Sequence, residues 1–375
     1  MNIGFDAKRI VRNNTGLGSY GRTLVNALAT IVPADTRLRL YAPDAGNPSL
    51  RQQVHDHPSL TFVYPQGTQP KWWWRTHGML DDLKRDSVDV FHGLSGELPV
   101  GIRRSGIRSV VTIHDLIFLR HPEYYKRIDT MLYTWKFRQT LREADRIIAI
   151  SECTRRDIMH YGGIGPERID VIYQSCGTRF KHRESEEKLQ EVKTRYQLPM
   201  RYIVNVGTIE ERKNILLAVK ALGQLPADVS LVIVGRSTPY CERVKQYIGE
   251  HGLTSRVLIL HDVPNNDLPA IYQMAEVCVY PSRYEGFGIP IIEAIQSGLP
   301  VVACKGSCLE EAGGGDSLYV DPDDVDGMAQ AVTQLLKGAE GREGRIERAQ
   351  QYIARFEGQD VARQVLDIYE RLVTS

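Results

Sequence analysis

Two glutamates, Glu285 and Glu293, stand with seven residues between them in Tyr284-Glu-Gly-Phe-Gly-Ile-Pro-Ile-Ile-Glu293. The apolar run from Val277 to Tyr280 reads as a β-strand, and the apolar spacing up to about Ser297 reads as a helix. Pro290 suits the first turn of that helix, where a missing N–H costs nothing. Gly286 and Gly288 allow the backbone to approach a ligand closely. The N–H groups around Phe287 and the helix N-terminus then face an anion or a sugar hydroxyl. Glu285 is expected in the loop and Glu293 in the first turn, so the two carboxylates can serve one ligand in separate roles. Without a ligand, Glu285 is a solvated loop charge and Glu293 complements the helix dipole. That account leaves the glycines unexplained, because glycine loses the most entropy on ordering.

Arg212 and Lys213 follow the strand Tyr202 to Val206 and the turn Gly207-Thr208, just ahead of a helix from Asn214 to Leu222. A helix start disfavours cations. A bound diphosphate, whose charge they neutralise as it leaves, explains the pair better and asks for no metal ion. His114 ends a buried-looking strand, Ser109 to Ile113, and Asp115 follows it. His92 ends another strand and is a weaker candidate. Gly16, Gly18 and Gly21 spell G-x-G-x-x-G. That match alone is weak, since the second strand ends in Ala42-Pro43 with no acid for a ribose. Asp321-Pro-Asp323 spells the D-x-D of metal-dependent transferases, but its acidic loop before a helix reads as capping.

These residues need strands to end beside one another. Short apolar runs alternate with amphipathic stretches along the chain, which predicts parallel sheets covered by helices on both faces. Ligands of such sheets bind outside the carboxyl ends of the strands. At 375 residues there is room for two domains. A Lys-, Arg- and Glu-rich stretch from 178 to 198 separates a strand at Ile169 to Tyr173 from a fresh one at Tyr202. The expected division is an N-terminal domain 1–180, a second domain 181–355 and a helix 356–375 across the junction or back on the N-terminal domain.

Six cysteines are scattered with no C-x-x-C pair, which reads as reduced, buried thiols of a cytoplasmic protein. No run of apolar residues is long enough to span a bilayer. Residues 1–180 hold 25 Lys/Arg against 18 Asp/Glu, and the remainder 22 against 28. Chance segregation of solvated charge is the plainer account. The functional one is an anionic partner, such as the inner face of a membrane or a diphosphate-linked acceptor, rather than nucleic acid. Trp72-Trp-Trp74 cannot all face inward. Either one ring is core and the others partly covered, or the run is an interfacial patch.

The glutamate segment resembles the two-glutamate motif of retaining glycosyltransferases of the GT-B fold, family 4 (group 1). Val206-Gly-Thr-Ile-Glu-Glu-Arg-Lys-Asn214 resembles that family's diphosphate-binding turn. Val110-Val-Thr-Ile-His-Asp-Leu116 and Ala144-Asp-Arg-Ile-Ile-Ala-Ile-Ser-Glu152 resemble its N-domain strands, in the same order. The resemblance covers nearly the whole chain and implies two Rossmann-like domains facing across a cleft, the N-terminal one, 1–180, binding the acceptor and the second, 181–355, the nucleotide sugar. It implies that Gly16 and Gly18 lie in a flexible loop at the donor diphosphate, and that His114 sits beside the transferred sugar as a contact or catalytic group. Gly235 and Val263 would frame the nucleobase through backbone contacts. Glu285 and the backbone from Gly286 to Gly288 would hold the sugar, and Glu293 the ribose. Many relatives carry Arg directly after the turn glycine, where this chain has Thr208, so phosphate binding would lean on Arg212 or on the Thr208 hydroxyl. The implied reaction moves a hexose, mannose from GDP-mannose or a UDP-hexose, to a glycan or lipid-linked acceptor. An epimerase or hydrolase of the same fold is the near alternative, and an NAD-dependent oxidoreductase the distant one.

Overall fold

A computed structural model describes residues 1–66 and 69–374. The chain divides into two compact units, Met1–Cys176 with Phe356–Ser375, and Gly177–Arg355. The first unit holds β1 (Asn2–Asp6), β2 (Arg37–Tyr41), β3 (Leu60–Val63), β4 (Val90–Gly93), β5 (Arg108–Ile113), β6 (Arg146–Ala149) and β7 (Ile169–Val171). The second holds β8 (Tyr202–Val206), β9 (Ser230–Val234), β10 (Val257–Leu260), β11 (Val277–Tyr280), β12 (Val301–Cys304) and β13 (Leu318–Val320).

The first sheet runs β3-β2-β1-β4-β5-β6-β7 and the second β10-β9-β8-β11-β12-β13. Every pairing is parallel. Both orders reverse direction next to their first strand, between β1 and β4 and between β8 and β11, which is where doubly wound sheets bind ligands. The central strands are buried on both faces, and so read as continuous Val/Ile runs rather than alternating ones.

The helix Gly358–Thr374 packs in the core of the first unit through Val361, Val365, Leu366, Ile368 and Tyr369. All six cysteines are buried. Among the described residues, no helix is long and apolar enough to cross a membrane.

Candidate functional site

The second unit builds its site at the switch point of its sheet. After β8 the chain passes Gly207 and Thr208, a 3-10 turn at Glu211–Lys213 and Asn214, and then the helix Ile215–Leu222. Asn214 takes a left-handed conformation (φ 54°), which asparagine tolerates better than most residues. Its side-chain amide donates to the Pro322 carbonyl at 2.7 Å, fixing the turn. The turns after β8 and β9 lie backbone on backbone. A Cβ on Gly235 would fall 1.8 Å from the Gly207 carbonyl oxygen, so glycine is required there by close approach. Val263 follows β10, the next strand in the sheet. Gly207-Thr208, Gly235 and Val263 therefore sit at the carboxyl ends of three adjacent strands.

Glu285 is buried at the end of β11 and receives both cations. Arg212 Nη1 lies 2.9 Å from one carboxylate oxygen, and Lys213 Nζ donates to the other. Lys213 also donates to the Tyr280 hydroxyl at 2.7 Å, and Arg212 Nη2 to Glu210 at 2.7 Å. Burial alone would raise the Glu285 pKa, but Lys213 and then Arg212 outweigh it and hold the carboxyl at about 2. Burial likewise opposes the charge of both cations, and Glu285 more than restores it, leaving each pKa above its ordinary value. The cluster is thus ionised throughout the neutral range. Lys213 has three N–H donors and spends two on Glu285 and Tyr280.

The glutamate loop is locked to the cationic turn. The Arg283 N–H donates to the Arg212 carbonyl at 2.9 Å, and Arg212 Nη1 donates to the Tyr284 carbonyl. From below, the buried Cys308 thiol contacts the carbonyls of Glu285 and Phe287, each at 3.0 Å. Phe287 is itself buried. Gly288 has φ 121°, which disfavours any other residue. The helix that follows is Ile289–Gln296 with Pro290 in its first turn. Glu293 is its fifth residue and lies in the second turn, a correction to the expected first. There it is half-buried, 3.3 Å from the Tyr272 hydroxyl. Burial raises its pKa to about 7, against the opposing effects of the Arg179 cation and of the Tyr272 hydrogen bond. The two glutamates therefore differ in how readily they ionise near neutrality. Tyr280, Tyr272, Arg179 and Cys308 were not singled out from the sequence. Only Tyr280 carries a signal, as the last residue of a strand beside the switch point.

The acidic run caps a helix, as expected, and its first two acids also form ion pairs. Asp321 pairs with Lys305 at 2.9 Å and Asp323 with Arg283 at 2.5 Å, while Asp324 caps a helix through the Gly327 N–H at 2.8 Å. Among the described residues, no group of three or more His, Cys, Asp or Glu is placed to hold a metal ion.

In the first unit, His114 lines a cavity of about 290 Å³ with Arg9, Glu97, Tyr133 and Lys136. Its Nε2 faces the Leu94 carbonyl at 2.8 Å and its Nδ1 the Gln174 amide at 2.8 Å. A carbonyl accepts and an amide N–H donates, so the ring is the neutral tautomer protonated at Nε2. Burial lowers its pKa to about 4. Both ring nitrogens are thus engaged within the fold. His92 is fully buried between the Tyr369 hydroxyl (2.5 Å) and Thr112 (2.8 Å), so it is a core residue rather than a candidate site residue.

Gly16 and Gly18 lie in the first turn of a helix, Gly16–Ile31, and not in a flexible loop. The Asn13 side chain ties that start by accepting from the Thr15 N–H at 2.8 Å and the Gly18 N–H at 3.3 Å. A Cβ on Gly18 would sit 1.9 Å from the Asn13 carbonyl oxygen, whereas nothing lies within 4 Å of one on Gly16. Gly18→Ala is therefore expected to cost about 2 kcal/mol in urea unfolding. Gly16→Ala is expected to be neutral or to gain about 0.5 kcal/mol. Equal effects of the two would contradict this packing.

The family model for Glycosyltransferase Family 4 matches residues 15–176, and that for Glycosyl transferases group 1 matches residues 187–352. The second match spans the whole Arg212–Lys213–Glu285–Glu293 constellation. The chain belongs to the family 4, group 1 glycosyltransferases. This glycosyltransferase is 29% identical over 388 residues to O-antigen chain mannosyltransferase B of Escherichia coli, covering 99% of this chain and 100% of that one. It is 27% identical to O-antigen chain mannosyltransferase RfbU of Salmonella typhimurium, over 66% of this chain and 65% of the relative. Its fold matches sucrose-phosphate synthase from Thermosynechococcus elongatus with a TM-score of 0.77 at 20% identity, covering 100% of this chain and 99% of that one. It also matches Anabaena HepE in complex with UDP and glucose, with a TM-score of 0.74 at 18% identity over 99% and 100% of the two chains. The glycosyltransferase thus has the two-domain α/β architecture of the GT-B fold.

Proposed function

We propose that this glycosyltransferase moves a hexose from a nucleoside diphosphate sugar to a glycan or lipid-linked acceptor of polysaccharide synthesis, with retention of the anomeric configuration and without a metal ion. The convergence of Arg212 and Lys213 on Glu285 at the switch point of the second sheet carries this reading. Two half-buried cations there neutralise the departing diphosphate as the anomeric C–O bond breaks. The loop from Glu285 to Gly288 holds sugar hydroxyls, and Glu293 takes the ribose. The turns at Thr208, Gly235 and Val263 meet the phosphate and base. The acceptor oxygen bonds to the anomeric carbon on the face the diphosphate leaves, and its proton passes to a phosphate oxygen. His114, with both nitrogens engaged, contacts the sugar through its ring edge or its backbone and moves no proton. Two mannosyltransferases among the relatives favour mannose, and with it GDP-mannose. The basic first 180 residues suit work on the cytoplasmic face of a membrane.

Thermal unfolding with GDP, UDP, ADP, dTDP and NAD, with and without EDTA, tests the reading. One nucleoside diphosphate is expected to raise the Tm regardless of EDTA. A shift with NAD alone, or one that EDTA abolishes, would overturn it. Glu285→Gln is expected to lower transfer about 100-fold. Donor consumed at full rate without any acceptor would point instead to an epimerase or hydrolase.

A further inference from the structure

The helix Arg127–Glu143 has large apolar residues on two faces, one in the core and one exposed. It buries Phe137, Thr140 and Leu141 in the first unit's core and exposes Ile128, Met131, Leu132 and Trp135. These four recur at i, i+3, i+4 and i+7, so they form one stripe along one face. Ile128 is 79% exposed and Trp135 is 62% exposed. Scattered apolar residues on a surface need no explanation, but a contiguous stripe of large ones does.

What lies at the ends of the stripe identifies its partner. Exposed Arg138 and Arg142 continue it beyond Trp135 at the same spacing, and exposed Lys126 and Arg127 precede it. The nearby acids are Glu123, exposed and bonded to His121, and the half-buried Asp129. An apolar stripe with an aromatic ring and cationic ends matches a bilayer, whose acyl chains take the stripe and whose anionic headgroups take the cations. A second aromatic surface lies in the same part of the unit. Trp72 and Trp73 are exposed, and Arg75, next on that segment, shares Glu97 with Lys136 of the Arg127–Glu143 helix. Both segments therefore flank the loop around Glu97, and Tyr133 and Lys136 of the same helix line the cavity beside His114.

We propose that the exposed stripe Ile128, Met131, Leu132 and Trp135, with its basic ends, seats this protein on an anionic phospholipid surface. The inference makes specific the reading that the acceptor is met at a membrane. A lipid-anchored acceptor lying in the same bilayer would then present its sugars beside the cavity that the helix lines.

Sedimentation with vesicles of phosphatidylcholine, and of phosphatidylcholine mixed with phosphatidylglycerol, tests it on the full chain. The protein is expected to sediment with the mixed vesicles about tenfold more strongly than with the neutral ones. The double variant Met131→Glu with Trp135→Glu changes only exposed side chains and is expected to lose about tenfold or more of that binding. Its Tm, and the rise produced by the nucleoside diphosphate, are expected to match those of the parent protein. Parent protein that stays in the supernatant with both vesicles would overturn the proposal, as would a variant that binds equally well. A concentration-dependent dimer in light scattering that the double variant dissolves would overturn it too, because a second copy would then cover the stripe. The vesicle assay contains neither donor nor acceptor, so failure of the transfer reading leaves its result standing.

Discussion

Lys213→Ala is expected to lower sugar transfer by about 100- to 1000-fold, the cost of removing one preorganised charge from the place where charge develops. The effect should fall on the chemical step and on diphosphate binding together, because the same ammonium group meets both. Burial disfavours that charge, and Glu285 keeps it in place. Its third N–H, unused by Glu285 and Tyr280, is the donor a phosphate oxygen would take. The variant leaves Glu285 paired with Arg212 alone at 2.9 Å, so its charge remains compensated and the fold should survive with a lower Tm. Single-turnover transfer and thermal unfolding, measured on the same preparation, separate the two effects. Transfer within threefold of the parent rate would remove Lys213 from the mechanism.

Nucleotide affinity is expected to climb about tenfold per pH unit up to about pH 7 and then level off, because Glu293 must be ionised to accept from ribose hydroxyls. In the free protein its pKa is raised to about 7, first by burial, with Arg179 and Tyr272 pulling the other way. Binding therefore releases a proton below that pH. Calorimetry in buffers of different ionisation enthalpy counts the proton directly. Glu293→Gln should flatten the profile, which also separates this residue from titration of the nucleotide's own phosphate. The linkage has a stability side with the opposite trend. A carboxyl whose folded pKa lies above its unfolded one contributes stability that is complete below the ordinary carboxylate range. That contribution fades as pH rises through 7. Glu293→Gln should thus be more stable than the parent at pH 8, by up to about 3 kcal/mol for a displacement of this size. A parent protein whose affinity is flat between pH 5.5 and 7 would refute the ribose role.

Much of this site could be read from residue order, because a switch point needs a strand, a glycine turn and a helix start in succession. The runs Tyr202–Val206 and Val277–Tyr280 have the bounds that the apolar pattern gave them. Two strands escaped notice. β3 lies at a sheet edge between Pro58 and Pro65, and β13 is only three residues long, so neither builds a recognisable apolar run. The resemblance misled at Gly16 and Gly18, which open a helix and not a flexible loop; one glycine is dictated by the Asn13 carbonyl and the other by nothing nearby. Trp72-Trp-Trp74 resolved by burial. Trp74 is fully buried and donates to Asp82 at 2.7 Å, while its two neighbours are exposed. The apolar stripe from Ile128 to Trp135 could not be read at all. Periodicity reports which residues share a face, and only the packed fold says whether that face is inside.

The first unit is closed by a segment the ribosome makes only after the whole second unit. Its sheet is complete by Val171, yet Val361, Val365, Leu366 and Tyr369 reach its core only after all of Gly177–Arg355 has been synthesised. Until then His92, deep in that core, lacks the Tyr369 hydroxyl it meets at 2.5 Å. The contiguous second unit can therefore mature first during translation, while the earlier-made half waits for its final helix. A hybrid that joins the first half of this chain to the second half of a relative must keep residues 356–374 with the first half. A premature stop near 355 would spare the second unit and cripple the first.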